Sequence, residues 1–196
     1  MTIRAPRGLA LLVALVATLS LIAACGAAAA SFDPNGPCTV DGAAPGAYPE
    51  LEALVPTTYE GRAPDRLDSG RNCSSENLGS LAGLGIQEVR YAGGLWNFGA
   101  DRGAVLGIFT APGLTAKAMS DFYANGARAS NRTQVLKESD VTIAGRPGRR
   151  VDTQTGDRLQ TIVVWPSASG DRVNAIITSD IPDPKIDAAV SAFADR

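Results

Sequence analysis

The sequence predicts an α+β fold in which an antiparallel sheet carries helices on one face. Two β-hairpin patterns, three amphipathic helical stripes and a spacing that recurs in both halves of the chain support this prediction. The 196 residues are enough for one domain with a substantial core, or for two small ones. We expect a single α+β domain over residues 38–196, preceded by segments that do not belong to the fold.

Residues 1–24 have the pattern of an export signal peptide. Arg4 and Arg7 supply positive charge, and an uncharged, mostly apolar stretch follows over 8–24. A membrane-spanning helix needs about 20 apolar residues, so this stretch is short for a retained span. Two alternatives follow from the signal alone. The segment is cleaved and the protein is secreted without an anchor, or the segment stays in the membrane as a helix.

The signal ends in LIAAC over residues 21–25, which resembles the lipobox of bacterial prolipoproteins. The resemblance implies that Cys25 receives a diacylglyceryl group and acyl chains such as palmitate, and that it becomes the first mature residue. Two chains suffice for stable anchoring, so it implies a lipoprotein held at the extracytoplasmic face of the cell membrane. A looser similarity to uncharacterised bacterial lipoproteins covers Pro49–Pro56 and Glu60-Gly61, and it implies no activity.

Two cysteines remain once Cys25 is assigned to the lipid. Residues 25–37 are rich in small residues, proline and glycine and are predicted to form a flexible tether. An even pair in an exported chain indicates a disulfide between Cys38 and Cys73, with two buried free thiols as the alternative. No metal site is expected, because the chain has no histidine and no CxxC spacing.

Three segments place apolar residues at helical spacing. The first covers Tyr48–Val55, and the second covers Thr115–Arg128 with Thr115 as its N-cap. The third begins with Asp183 as N-cap and Pro184 at the first helical position. Their apolar stripes are expected to face the core rather than a ligand.

Two hairpins lie between these helices, over 88–110 and 159–178. A pattern at 58–68 recurs 84 residues later at 142–152, and the tryptophan, Asp-Arg and proline positions of the first hairpin recur about 70 residues later. We therefore expect duplicated strand–hairpin–helix halves over about 48–128 and 129–196, related by a pseudo-twofold axis. Chance similarity is the alternative.

The composition narrows the classes of function. Without histidine, neither a Ser-His-Asp nor a Cys-His nucleophile is possible. A net charge of -2 gives no basic surface for nucleic acid, and neither GxxxxGK[ST] nor GxGxxG is present, so no cofactor is expected. We expect a module without enzymatic activity that binds a small ligand or an envelope protein. The alternative is a His-free hydrolase or transferase that uses two carboxylates among Asp65, Asp68, Asp140 and Asp152.

The hairpins supply the candidate partner surface. The two tryptophans are expected to pack at strand ends, or to mark a partner site if they are exposed together. The two Asp-Arg pairs are expected to be solvated turns, or to present matched charges to a ligand. The candidate surface consists of Trp96, Asp101, Arg102, Trp165, Asp171 and Arg172. A second cluster, Arg146, Arg149 and Arg150, could hold an anion; strand alternation places Arg146 and Arg150 on one face and Arg149 on the other.

Overall fold

The computed structural model describes residues 32–193, which form one eight-stranded antiparallel sheet. The predicted signal peptide and Cys25, the predicted lipidation site, lie outside the described residues. The strands run β1 Gly42–Ala44, β2 Arg66–Asn72, β3 Val89–Asn97, β4 Gly103–Thr110, β5 Thr133–Ile143, β6 Arg146–Thr155, β7 Arg158–Pro166 and β8 Val173–Ser179. Their order in the sheet is β1-β2-β3-β4-β8-β7-β6-β5, so two four-stranded meanders meet where β4 pairs with β8.

Helices cover both faces of this sheet. They are α1 Pro49–Glu52, α2 Ser75–Leu78, a 3₁₀ helix Gly79–Leu84, α3 Ala116–Ala129 and α4 Asp183–Ala192. On one face, here called the α4 face, α1 and α4 share a core with side chains of the central strands. On the other, the α3 face, α3 crosses from the central strand β4 to the edge strand β5 and packs on β5, β6 and β7.

The predicted fold class is wrong in two respects. Strands account for 41% and helices for 23% of the described residues, so the domain is mostly sheet. The helices also do not share one face, as the neighbouring residues Val163 and Val164 show. Val163 packs in the core beneath α4, whereas Val164 packs beneath α3. Both faces of β7 are therefore buried, which explains its unbroken apolar run.

The predicted duplication is also wrong. A twofold axis that exchanges the antiparallel neighbours β4 and β8 must be perpendicular to the sheet, and it would keep α3 and α4 on one face. Gly61 and Gly145 each lie in a two-residue turn, closed by the isolated Tyr59–Arg62 bridge in the first case and joining β5 to β6 in the second. Their φ values are 72° and 75°. The repeated spacing therefore reflects the same two-residue turn chemistry in both places.

Trp96 is the centre of the core on the α4 face. Its side chain is fully buried, and its Nε1 donates a hydrogen bond of 2.9 Å to the carbonyl of Arg62. The ring of Tyr59 meets it edge-on, with centroids 5.9 Å apart. This contact fixes the loop between α1 and β2 on the sheet.

The N-terminal part of the described chain is docked on the sheet edge. Arg71 of β2 is buried, and its Nη1 and Nη2 donate to the carbonyls of Gly36 and Pro37 at 2.8 and 2.7 Å. Its guanidinium carbon lies 5.7 Å from the ring centre of Phe32. The segment predicted as a tether is therefore part of the folded domain from Phe32 onward.

The predicted disulfide between Cys38 and Cys73 is present, with Cα atoms 5.7 Å apart. It closes a separation of 35 residues and joins the docked N-terminal segment to the end of β2. In the chain-entropy model such a closure stabilises the fold by about 4 kcal/mol. The disulfide and the Arg71 contacts thus hold the same segment from two sides.

Asp41 adds a third attachment beside the disulfide. Burial alone raises the pKa of Asp41, but the backbone amides of Cys73 and Ser74 and the side chains of Ser74 and Asn77 donate to its carboxylate. These hydrogen bonds outweigh burial and lower the pKa from 3.8 to about 2.

We predict that replacing Trp96 by alanine lowers the free energy of unfolding by about 3–5 kcal/mol, because it leaves a large cavity and removes one of the two hydrogen bonds to the carbonyl of Arg62. Urea denaturation followed by circular dichroism measures the change. Leu84→Ala is the matched control, since Leu84 is 65% exposed and its truncation should change little. Equal effects of the two substitutions would contradict the assigned core.

We predict that Asp41 makes stability depend on acid pH. Its folded pKa of about 2 lies below the ordinary 3.8. Its contribution is therefore fully present above pH 3.8 and is lost as the pH falls toward 2. Urea denaturation across this range should show a steeper loss for the parent than for Asp41→Asn. Parallel curves for the two proteins would refute the assignment.

Candidate functional site

A row of polar side chains interrupts the apolar core of the α4 face. Residues that are directly paired across neighbouring strands share a face, and β5 to β8 contribute Lys137, Asp152, Thr161 and Thr178 to one such row. On β4 the same row continues with Ala104, a core residue. Polar groups on the inward face are uncommon, so this half of the row marks a candidate site.

Arg150 of β6 organises the row. Its Nε lies 2.9 and 3.0 Å from the two carboxylate oxygens of Asp152. Its Nη2 lies 2.9 Å from Oδ1 of Asp183, the first residue of α4, and 3.4 Å from Oγ1 of Thr161. The hydroxyl of Thr161 in turn donates to Asp152 Oδ1 at 2.7 Å. We call Arg150, Asp152, Thr161 and Asp183 the arginine clamp.

The clamp lies in an open cleft of about 580 Å³ between the start of α4 and the edge strand β5. Thr178 strengthens its floor by donating to the carbonyl of Thr161 at 3.2 Å. The walls are apolar and consist of Leu136, Leu159, Ile181 and Pro182. Such a volume, with apolar walls and a few fixed polar groups, is typical of sites for small molecules.

The strand that forms one wall is irregular at the cleft. The pairing of β5 with β6 shifts register between Val135 and Lys137, so Leu136 is the extra residue of a β-bulge. Leu136 is 49% exposed, and Leu159 at the start of β7 is 50% exposed. Two large apolar side chains thus stay half in solvent on either side of a polar floor.

The ion pairs of the clamp fix its charge state. Burial alone lowers the pKa of Arg150, but the hydrogen bonds and charges of Asp183 and Asp152 outweigh it and raise that pKa above its ordinary value. Arg150 therefore stays protonated. Its side chain has carboxylates on two sides, so it is held in one orientation.

The four candidate catalytic carboxylates do not converge. Asp68 lies on β2 and Asp152 on β6, which are five strand spacings apart, or about 24 Å. Asp140 of β5 is 84% exposed and pairs with Arg149 at 2.8 Å on the face opposite to Asp152. Asp65 accepts from the backbone amide of Asn97 at 2.7 Å and belongs to the loop before β2. Asp68 forms an ion pair with Arg66, so each carboxylate has its own structural partner.

The predicted partner surface requires correction. Trp96 and Trp165 have 0% and 2% of their surface exposed, because both pack in the core of the α4 face. They are therefore not available to a partner. Trp165 instead meets the ring of Phe193 edge-on at 5.1 Å.

The two Asp-Arg pairs lie at opposite ends of the sheet. Asp101-Arg102 forms part of the turn between β3 and β4, which lies beside the start of β7, and Asp101 forms an ion pair with Arg158. Asp171-Arg172 lies in the turn between β7 and β8, where the Asp171 carbonyl accepts from Thr110. The six predicted residues therefore do not form one surface. Asp101 and Arg102 line a shallow depression of about 260 Å³ that adjoins the cleft.

The predicted arginine cluster divides as strand alternation indicates. Arg150 enters the cleft, whereas Arg149 lies on the α3 face with Asp140. Arg146, the first residue of β6, shares the face of Arg150 and donates to the Phe193 carbonyl at 2.7 Å. The three side chains therefore do not join in holding one anion.

Neither the models of known protein families nor the curated proteins include a match to this chain. Among residues 32–193, no group of three or more potential metal ligands comes together. No helix in the same range is long and apolar enough to cross a membrane. The candidate site therefore depends on its own geometry.

Sequence reasoning missed most of the clamp. It marked Asp152 and Arg150 separately, but gave Asp183 the role of a helix cap. In the structure Pro182 is the N-cap residue, and Asp183 at the first helical position binds Arg150. Thr161 and Thr178 were included only as strand residues. Two threonines among β-branched apolar neighbours gave a weak signal of an inward polar row.

We predict that Arg150→Met lowers the free energy of unfolding by about 1–3 kcal/mol, because it leaves Asp152 largely desolvated without its cation. A double-mutant cycle with Asp152→Leu should show coupling between the two positions. Lys117→Met is the control, since the Lys117–Asp121 pair is exposed and worth little. Purely additive effects of the Arg150 and Asp152 substitutions would exclude the clamp.

Proposed function

We propose that the protein is a membrane-anchored extracytoplasmic lipoprotein that binds a ligand through the cleft and catalyses no reaction. The LIAAC segment that ends at Cys25 supports the anchor. The disulfide between Cys38 and Cys73 supports an oxidising compartment, because such bonds persist outside the cytoplasm. Together they favour export followed by retention at the membrane.

The arginine clamp is the observation that carries the binding role. Three of its polar residues are on rigid strands and Asp183 begins α4, so they are already oriented before any ligand enters. Preorganised groups reduce the ordering cost of binding. In addition, the carboxylate of Asp152 already accepts hydrogen bonds from Arg150 and Thr161. This arrangement favours ligand binding in the cleft over a role for Asp152 in proton transfer.

We predict that Cys25→Ala moves the protein from the membrane fraction to the soluble fraction of the cell envelope. Labelling with a palmitate analogue in living cells should mark the parent protein and not the variant. The control replaces Cys38 and Cys73 together by serine, which removes the disulfide and should leave the label unchanged. Full labelling of Cys25→Ala would refute the anchor.

The binding role has a separate test. A photo-crosslinking amino acid at Leu159, in the cleft wall, should trap a distinct envelope component in living cells, and the same group at the exposed Leu84 on the α3 face should not. Filling the cleft by Leu136→Trp should abolish the product. Identical products from positions 159 and 84 would show that the cleft has no selective ligand.

A further inference from the structure

We infer that the cleft binds a neutral, hydroxyl-rich ligand, that is, a carbohydrate. This inference rests on the proposed function and names the chemistry of its ligand. It follows from which hydrogen-bonding groups the clamp leaves unused, from the charge of the cleft, and from the aliphatic walls beside it.

The clamp leaves a donor on Arg150 and an acceptor on Asp183 unused. Its bonds use Nε and Nη2 of Arg150, so Nη1 keeps its donor capacity. Asp183 binds Arg150 through Oδ1 alone, and its other oxygen can accept a hydrogen bond. A hydroxyl group both donates and accepts, so neighbouring hydroxyls on one ring can satisfy both groups at once.

The charge of the cleft disfavours anions. Arg150 and Lys137 face three carboxylates, those of Asp152, Asp180 and Asp183. A phosphate or carboxylate ligand would meet a net negative lining and an arginine whose charge is already balanced. Its attraction to Arg150 would be offset by repulsion from the carboxylates.

The same carboxylates are poorly placed to hold a cation. Both oxygens of Asp152 accept from Arg150, and Oδ1 of Asp180 accepts from the backbone amide of Leu159 at 2.9 Å. Asp183 is mostly exposed, where a single ion pair contributes little. A neutral ligand avoids both penalties and uses the groups that remain.

The aliphatic walls match the other part of a sugar ring. Leu136 and Leu159 are half exposed on either side of the polar floor, and covering them with C–H groups removes apolar surface from water. A pyranose ring presents hydroxyls around its edge and C–H groups on its faces. It can therefore contact the clamp and a leucine at the same time.

The test is a titration of the ¹⁵N-labelled protein with glucose, galactose, mannose and N-acetylglucosamine, up to about 100 mM so that millimolar affinity is detected. Inorganic phosphate and ethylammonium serve as charged probes. We expect at least one sugar to shift the amide signals of Thr161, Leu159 and Asp183. Asp183→Asn should weaken that binding severalfold, and Leu136→Trp should abolish it, whereas Leu84→Trp should have no effect.

Two results would overturn the inference. One is the absence of shifts in the cleft with all four sugars. The other is tighter binding of phosphate or ethylammonium than of any sugar. The crosslinking test at Leu159 is independent, so a selective crosslink without sugar binding would retain the binding role and exclude the carbohydrate.

Discussion

The pairing of β4 with β8 is the contact on which the rest of the structure depends. It joins two meanders into one sheet. As a result β4, which precedes α3, lies at the centre of the sheet, and β5, which follows α3, lies at its edge. The helix must therefore cross one face, and α4, which follows the central strand β8, covers the other. Neither helix is long enough to cover its whole face. The cleft is the part of the α4 face that lies beyond the start of α4.

The polar row costs stability that the domain recovers through hydrogen bonding. An inward-facing charge on a strand is unfavourable unless it is paired, and Arg150 has carboxylates on two sides. Apolar residues in these positions would avoid this cost, as Ala104 and Trp96 do where the row continues on β4 and β3. This cost agrees with the binding role that we propose for the clamp.

Local structure was predictable from the sequence, but the arrangement of layers was not. The helix with Thr115 as N-cap is present, with the threonine hydroxyl accepting from the Ala118 amide at 3.1 Å, and the two hairpins and the disulfide are also present. Periodicity identifies the buried side of a helix, but it carries no information on which face of a sheet that side meets. The clamp was missed for a related reason. Asp183 reaches Arg150 only because α4 begins above β6, and periodicity does not show where a helix lies on the sheet.

The docked N-terminal segment has a consequence for orientation. If Cys25 carries the proposed anchor, only six residues separate it from Phe32, and the seven Cα–Cα steps between the two residues span at most about 25 Å. The segment joins the domain at β1, one edge of the sheet, whereas the clamp residues of β6 lie six strand spacings away, or about 29 Å. Because this linker is shorter than the sheet is wide, it keeps the β1 edge of the domain toward the bilayer. The sheet then acts as a spacer that directs the cleft away from the lipid headgroups and into the surrounding envelope.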